Sequence, residues 1–477
     1  MRDYTQRVID LAQGLGASYA DVRLETKRVQ IVSVKNGVVD ALADEESSGF
    51  GVRVLVDGAW GFASSARIEF PELERITRLA VEIARASRLA RRGPVQLGPP
   101  VRSVGTYRTP VVRDPFSVSL EEKLDLLFRA DAAMRAVRGI GVAESSIECQ
   151  RVQKTFANSE GAYVEQELIE TGGGLEALAV GEHEVQKRSY PNSFGRHQGT
   201  AGYEFVEAMD LAGNAARIAE EAVQLLSARQ CPSEVTTLIL DPTQVALQVH
   251  ESCGHAIELD RVLGMEASYA GTSFLTLDKR GTFRYGSEVV TIVADATVPG
   301  GLGTFGYDDE GVPAQRTVIV EHGIFRNYLT SRETAALLGE TSNGTMRADG
   351  WNRIPLIRMT NINLEPGPWR FEDLIADTDR GVYMQTNRSW SIDDRRLNFQ
   401  FGTEIAWEIR GGKLGAMLKN PTYTGITPLF WNSCDAVCRE WAVWGTPNCG
   451  KGQPSQVAHV GHGAAAARFR NVRIGVY

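Results

Sequence analysis

Two histidines and a glutamate fall within six residues at His250-Glu251-Ser252-Cys253-Gly254-His255. Neutral imidazoles are zinc ligands, and a carboxylate beside them can act as base toward a water held at the metal. The familiar H-E-x-x-H helix places its histidines at i and i+4, about 40° apart on one face. Here the second histidine is at i+5, about 140° round a regular helix. The two converge only if the helix widens, because a π-type turn brings i and i+5 back to one side. Gly254, immediately before the second histidine, tolerates such a distortion. A pair of core histidines bonded to backbone is the plainer alternative. It leaves Glu251 without a role in so apolar a helix.

Catalytic zinc needs a third protein ligand and one position for water. The candidates are Cys253, Glu258, Cys434, Cys438, Cys449, His459 and His462. Cys253 is three residues from His250, and a bulge uniting the histidines turns it aside. Glu258 serves equally as acceptor for an imidazole N–H. Cys434 and Cys438, four apart, suit one helix face. His459 and His462 lie in a glycine- and alanine-rich tail that reads as irregular backbone. Cys449 sits in the glycine loop Asn448-Cys449-Gly450-Lys451-Gly452-Gln453-Pro454, a good way to present a thiolate.

The elements around the motif favour a helix. Asp241-Pro242 supplies an N-cap followed by proline at the first helical position. Val245, Val249, Ile257 and Val262 anchor it, so a helix is expected over about Thr243–Leu263, interrupted near 250–255. Upstream, residues 3–15 have helical periodicity. Alternating stretches turn at Asn36-Gly37 and Asp57-Gly58, and a helix follows from Pro71 to Leu89. Residues 91–118 read as a connector. Ser119 and Glu122 then open a helix with a capping box, strands cross 140–190 with a turn at Ser159-Glu160-Gly161, and a long helix runs from Tyr203 to Gln230. The element order of the first half is thus repeated. After Cys231 strands dominate, with hairpins at His322-Gly323 and Gly411-Gly412 and a short helix near Arg332–Leu338.

These elements make an α+β protein: residues 1–230 form an N-terminal α/β domain with a mostly antiparallel sheet and flanking helices, and 231–477 a β-rich domain carrying the motif helix. A length of 477 residues implies more than one domain. The 48 glycines exceed the typical ~7% and suit many turns. The net charge of −8, without a basic block, argues against nucleic-acid or anionic-membrane partners. Met1 to Gln6 enters a helix without an apolar signal core, and no stretch approaches the ~18 apolar residues of a span, so a cytoplasmic protein is expected. Six cysteines without C-x-x-C read as reduced, buried thiols.

Four blocks carry a family resemblance: Val249 through His255, Phe305 through Gln315 (Phe-Gly-Tyr-Asp-Asp-Glu-Gly-Val-Pro-Ala-Gln), Arg358-Met359-Thr360-Asn361, and Cys449-Gly450-Lys451-Gly452-Gln453. In this order they resemble a TldD-type member of the TldD/PmbA metallopeptidases, over nearly the whole chain. His459, His462 and the run Ala464 to Ala467 depart from the pattern. The resemblance implies zinc held by His250, His255 and Cys449, with Glu251 as catalytic base. It further implies hydrolysis of unfolded or flexible peptides within a chamber between subunits, and a dimer with a TldE/PmbA-type partner, which lacks the metal motif; a homodimer is the alternative. The competing readings are a peptide-binding scaffold with a structural, four-ligand metal, and a zinc hydrolase of a non-peptide amide. Tyr307 and Arg316 are candidate oxyanion donors, the acids Asp308-Asp309-Glu310 between them read as solvated or capping, and Arg358–Leu364 offers a strand edge to an extended substrate.

Overall fold

Asn36-Gly37 and Asp57-Gly58 both adopt paired left-handed conformations, with φ of 49° and 82° and of 48° and 70°. That is the two-residue turn whose twist matches antiparallel strands. The computed structural model describes residues 1–91, 93–452 and 455–475. Arg92, in the expected connector, and Gln453 and Pro454, in the loop after Cys449, lie outside the described residues. The two turns join β1 (Tyr19–Lys35), β2 (Val38–Val56) and β3 (Ala59–Ser65), flanked by α1 (Arg2–Gly14) and α2 (Phe70–Ser87). The connector is not structureless: β4 (Val104–Arg108) lies within it and pairs in parallel with Tyr163–Glu167.

The reprise follows as α3 (Leu120–Arg135), β5 (Ile140–Asn158), β6 (Tyr163–Val180), β7 (Val185–Tyr190) and β8 (His197–Gly199). Ser119 caps α3 by accepting from the Glu122 amide at 3.1 Å, while the Glu122 carboxylate takes Arg113 instead of closing the box. The long helix expected over 203–230 is broken into α4 (Glu204–Met209) and α5 (Leu211–Ser227). Asp210 is left-handed at φ 47° and its carboxylate caps α5 at Gly213, so one residue ends a helix and starts the next. Gln230 belongs to a short strand.

These strands form one sheet in the order β3-β2-β1-β5-β6-β4, with β7 and β8 also on β6. The two halves meet through their first strands, β1 and β5, antiparallel from Asp21 opposite Asn158 to Lys35 opposite Glu144. Side chains alternate along β1. Val22, Leu24 and Val32 face the helices, packing with Val8, Ile76 and Ala80 in one cluster and with Leu127, Ile147 and Ile218 in the next. Arg23 and Glu25 point the other way, yet are buried, because the second half of the chain covers that face.

The second half is β-rich as expected. An eight-stranded mixed sheet contains Glu234–Leu240 between Arg380–Ile392 and Ala467–Ile474, and a four-stranded sheet contains Ile292–Asp295 and Ile362–Leu364. The expected irregular tail is regular: Ala442–Lys451 and Gln456–Ala464 form a two-stranded ribbon. Cys449 is therefore on a strand and not in the glycine loop. Cys434 begins the strand Cys434–Val437, so it shares no helix with Cys438. Among the described residues no helix is long and apolar enough to cross a membrane.

Candidate metal centre

Helix α6 (Pro242–Val249) leaves the end of strand Glu234–Leu240. The Asp241 carboxylate accepts from the Gln244 amide at 3.0 Å, fixing where the helix starts. Its inner face, Val245 and Val249, packs in the largest core cluster with Met359, Ile362 and Val460. At His250–Gly254 the α-helix gives way to a π turn, closed by the His255 amide on the His250 carbonyl at 3.2 Å. The widening required by the i+5 spacing is present. A β-carbon at Gly254 would lie 2.2 Å from the Met359 sulfur, so close packing as well as flexibility requires glycine there. The helix does not run on to Leu263. Glu258 is extended and bridges to Leu329, leaving only a short helix Leu259–Val262 beyond it.

The π turn brings the two imidazoles edge to face, ring centres 4.9 Å apart. Cys449 reaches them from the ribbon, its Sγ 3.6 Å from His255 Nε2. One ligand atom from each of His250, His255 and Cys449 falls within 4.8 Å of the others, and all three residues are buried. Lys451 shows how the strand is aimed. Residues two apart share a face, and its Nζ donates to Asp260 at 2.8 and 2.9 Å and to the Ile357 carbonyl at 2.7 Å. The lysine thus clips Cys449's strand to the segment that follows the motif. Arg358 adds a second clip, donating to the Cys449 and Gln456 carbonyls on the two ribbon strands.

Hydrogen bonds set the tautomers. The Ile362 carbonyl accepts from His462 Nδ1 at 3.2 Å, which leaves His462 Nε2 to accept from His250 Nδ1 at 2.8 Å. His250 Nε2 is then free with its lone pair. His255 Nδ1 donates to the Glu258 carboxylate at 3.0 Å, freeing its Nε2 in the same way. Ligating imidazoles are oriented by such partners. Burial holds both His250 and His255 below the ordinary histidine range, in the neutral form a metal needs. Burial also drives the Cys449 thiol upward, but His255 and Arg358 outweigh it and bring it below its ordinary value. Burial leaves Cys253, Cys434 and Cys438 pushed up to about 12. Two imidazoles and an acidified thiol make a donor set that fits zinc.

The other third-ligand candidates are engaged elsewhere. Cys253 faces Tyr285 in the core. Glu258 serves His255, Arg261 and Lys451. His459 pairs with Glu170 at 2.5 Å on the side of the N-terminal sheet, and His462 holds His250. Glu251 lies on the wall of a cleft of about 260 Å³ that also contains His250, His255 and Cys449, together with Phe194, Trp390 and Arg396. Its Oε2 accepts from Arg396 Nη1 at 2.8 Å.

Neither Tyr307 nor Arg316 lines that cleft. The Tyr307 hydroxyl points at Gly105 of β4, and Arg316 pairs with Glu365 on an exposed strand. The acids between them are buried. Asp308 accepts from the amides of Glu310, Val312 and Met346, a capping role, whereas Asp309 and Glu310 meet cations of the N-terminal sheet. The expected free edge over 358–364 is covered as well. Ile362–Leu364 pairs with the strand beginning at Ile292, and the ribbon bonds to Thr360, Ile362 and Asn363 on the other side. Arg396 carried no local signal, since Asp393-Asp394-Arg395-Arg396 reads as an ordinary solvated charge run.

Residues 233–475 match the model of the PmbA/TldA metallopeptidase C-terminal domain, 20–84 that family's domain 1 and 113–230 its central domain. This chain belongs to the TldD/PmbA family. Accordingly it is a metallopeptidase. Among relatives of this TldD/PmbA chain, a metalloprotease of Methanocaldococcus jannaschii is 31% identical over 453 residues, 94% of this chain and 95% of the relative. A zinc metalloprotease TldD homolog of Saccharolobus solfataricus is 23% identical, covering 99% of each chain. The crystal structure of TldE from Thermococcus kodakarensis superposes with a TM-score of 0.75 over 99% of each chain, at 18% identity, and so shares the fold.

Proposed function

We propose that this chain is a zinc-dependent peptidase of the TldD type, in which His250, His255 and Cys449 hold the ion and Glu251 is the general base. One observation carries the reading: three ligand atoms within 4.8 Å at the floor of a cleft whose wall bears an unligated carboxylate. The zinc named in the Saccharolobus relative supports the metal. Bound zinc would acidify a water and polarise the scissile carbonyl. Glu251 takes the attacking water's proton and returns it to the leaving amine. A structural metal needs a fourth protein ligand, and the two candidates for it, Glu258 and His459, are bonded to the His255 imidazole and to Glu170.

Phe194 and Trp390, edge to face at 6.2 Å, give the cleft an apolar wall. The substrates we propose are flexible or unfolded peptides, whose apolar side chains this wall can contact. The partner we propose is a TldE-type subunit of the same fold, with a second copy of this chain as the alternative outcome. The test measures metal content and peptide cleavage for wild type and Glu251→Gln, each with and without the partner. Glu251→Gln should keep its metal and lose about 10²–10⁴ in rate, the scale of general acid–base catalysis. A variant that cleaves at the wild-type rate removes Glu251 from the mechanism.

A further inference from the structure

Arg396 is the only cation lining the cleft that touches Glu251 among the described residues. Its side chain is 17% exposed, and its Nη1 donates to Glu251 Oε2 at 2.8 Å. Its Nε is buried with no hydrogen-bond partner. Nitrogens of Arg23, Arg151, Arg261, Arg332 and Arg358 share that state, so it is the place of Arg396 on the cleft beside Glu251 that sets it apart. The backbone at Arg396 is left-handed, φ 64°, a conformation that residues with a β-carbon seldom adopt. Its surroundings impose it. The Asp393 carboxylate accepts from the Leu397 and Asn398 amides, the Arg396 amide donates to the Asp393 carbonyl, and the Arg396 carbonyl accepts from Thr427 Oγ1 at 2.8 Å. Strain that the surroundings over-determine is characteristic of functional positions.

Arginine and carboxylate often pair through two parallel bonds. Here Nη1 alone holds Glu251, on a side chain that lines the cleft. We propose that Arg396 is a catalytic residue whose guanidinium donates to the scissile carbonyl oxygen as that oxygen becomes anionic. This rests on the reading of Glu251 as base. Water oxygen bonds to the carbonyl carbon while its proton passes to Glu251, and the carbonyl π pair moves onto oxygen, where Arg396 stabilises it. The C=O bond then re-forms, the C–N bond breaks, and Glu251 returns the proton to the amine. Arg396 gives hydrogen bonds throughout and loses no proton.

The experiment compares the metal-loaded full chain with Arg396→Met and Arg396→Lys, using a flexible peptide that wild type cleaves and its phosphonamidate analogue, which mimics the tetrahedral anion. The readouts are metal content, kcat, KM and, by calorimetry, affinity for the analogue. Arg396→Met should keep its metal and KM within about threefold, lose about 10²–10³ in kcat, and bind the analogue more weakly by the same factor. Arg396→Lys should recover part of both. Unchanged kcat and analogue affinity would make Arg396 a counter-ion only. A raised KM at constant kcat would make it a ground-state binding group, and loss of metal a prop for the centre; each overturns the proposal. A wild-type chain that holds metal but, with and without the TldE-type partner, neither cleaves peptides nor binds the analogue would overturn the peptidase reading itself.

Discussion

Desolvation disfavours a thiolate, so a buried cysteine ligates only where neighbouring charge repays the cost. Among the six buried cysteines, Cys149 is pushed up to about 11 and four others to about 12, and Cys449 alone moves down. Cys449→Ala should therefore come out of dialysis metal-poor and inactive, while Cys253→Ala, Cys434→Ala and Cys438→Ala stay loaded. Metal stoichiometry decides it, and a fully loaded Cys449→Ala would move the third ligand elsewhere. The motif itself was legible because six consecutive residues fix their own geometry, and the i+5 spacing already demanded a π turn. The third ligand we propose was not singled out by composition or spacing. Cys449 meets His255 across 194 residues of chain, brought there by a ribbon strand that Lys451 and Arg358 hold against the segments around the motif.

Turns were the most legible elements, since a left-handed pair such as Asn36-Gly37 is written in residue type. Breaks inside a helical pattern were not: Asp210 turns left-handed and caps the next helix itself, whereas Glu258 leaves the helix to bridge Leu329. The ribbon carrying Cys449 is itself seated on β8 through His197, packed between Phe205 and Trp444 with ring centres 5.0 Å away in both cases. The Gly445 amide donates to His197 Nδ1 at 3.3 Å, a bond that protonation of Nδ1 abolishes. Burial accordingly brings His197 down to about 4, from about 6.5 in the unfolded chain. The unfolded state then binds the proton first, so stability is full above about pH 6.5 and declines as pH falls toward 4. At pH 5 the loss is roughly 1–2 kcal/mol. His197→Asn should lose that much less than wild type between pH 7.5 and pH 5, measured from urea midpoints. The other buried histidines contribute equally to both proteins and cancel. Parallel pH profiles would remove His197 as a source of acid sensitivity.

At the scale of the molecule, the two halves of the chain are joined by charge in a place where a solvated loop was expected. Asp309 accepts from Lys154 Nζ at 2.7 Å and from the Ala348 amide at 2.7 Å, and lies 3.5 Å from Arg23 Nη1. Arg53 bridges Asp21, at 2.7 Å, and Glu310, at 3.2 Å. Burial raises the Asp309 carboxyl, but Lys154 and Arg23 outweigh it and hold it below the usual range. None of this is readable locally, because the partners lie on β1, β2 and β5, in the other half of the chain. Asp309→Ala would leave Arg23 buried without a carboxylate and Lys154 with Glu25 alone, at 3.5 Å, and removing one partner of a buried pair typically costs about 3–5 kcal/mol. Asp309→Ala should therefore unfold at a lower urea midpoint, with the helices over residues 1–230 lost before the β-rich half, so far-UV ellipticity and the fluorescence of the tryptophans, seven of eight of which lie after residue 230, separate into two transitions. Replacing Arg23 as well, in Asp309→Ala/Arg23→Met, removes the cation left without a carboxylate and should recover part of the loss. Metal binding should survive in both, since the centre lies wholly within the second half. An Asp309→Ala protein with the wild-type midpoint and a single transition would mean that apolar packing, and not this charge cluster, joins the halves.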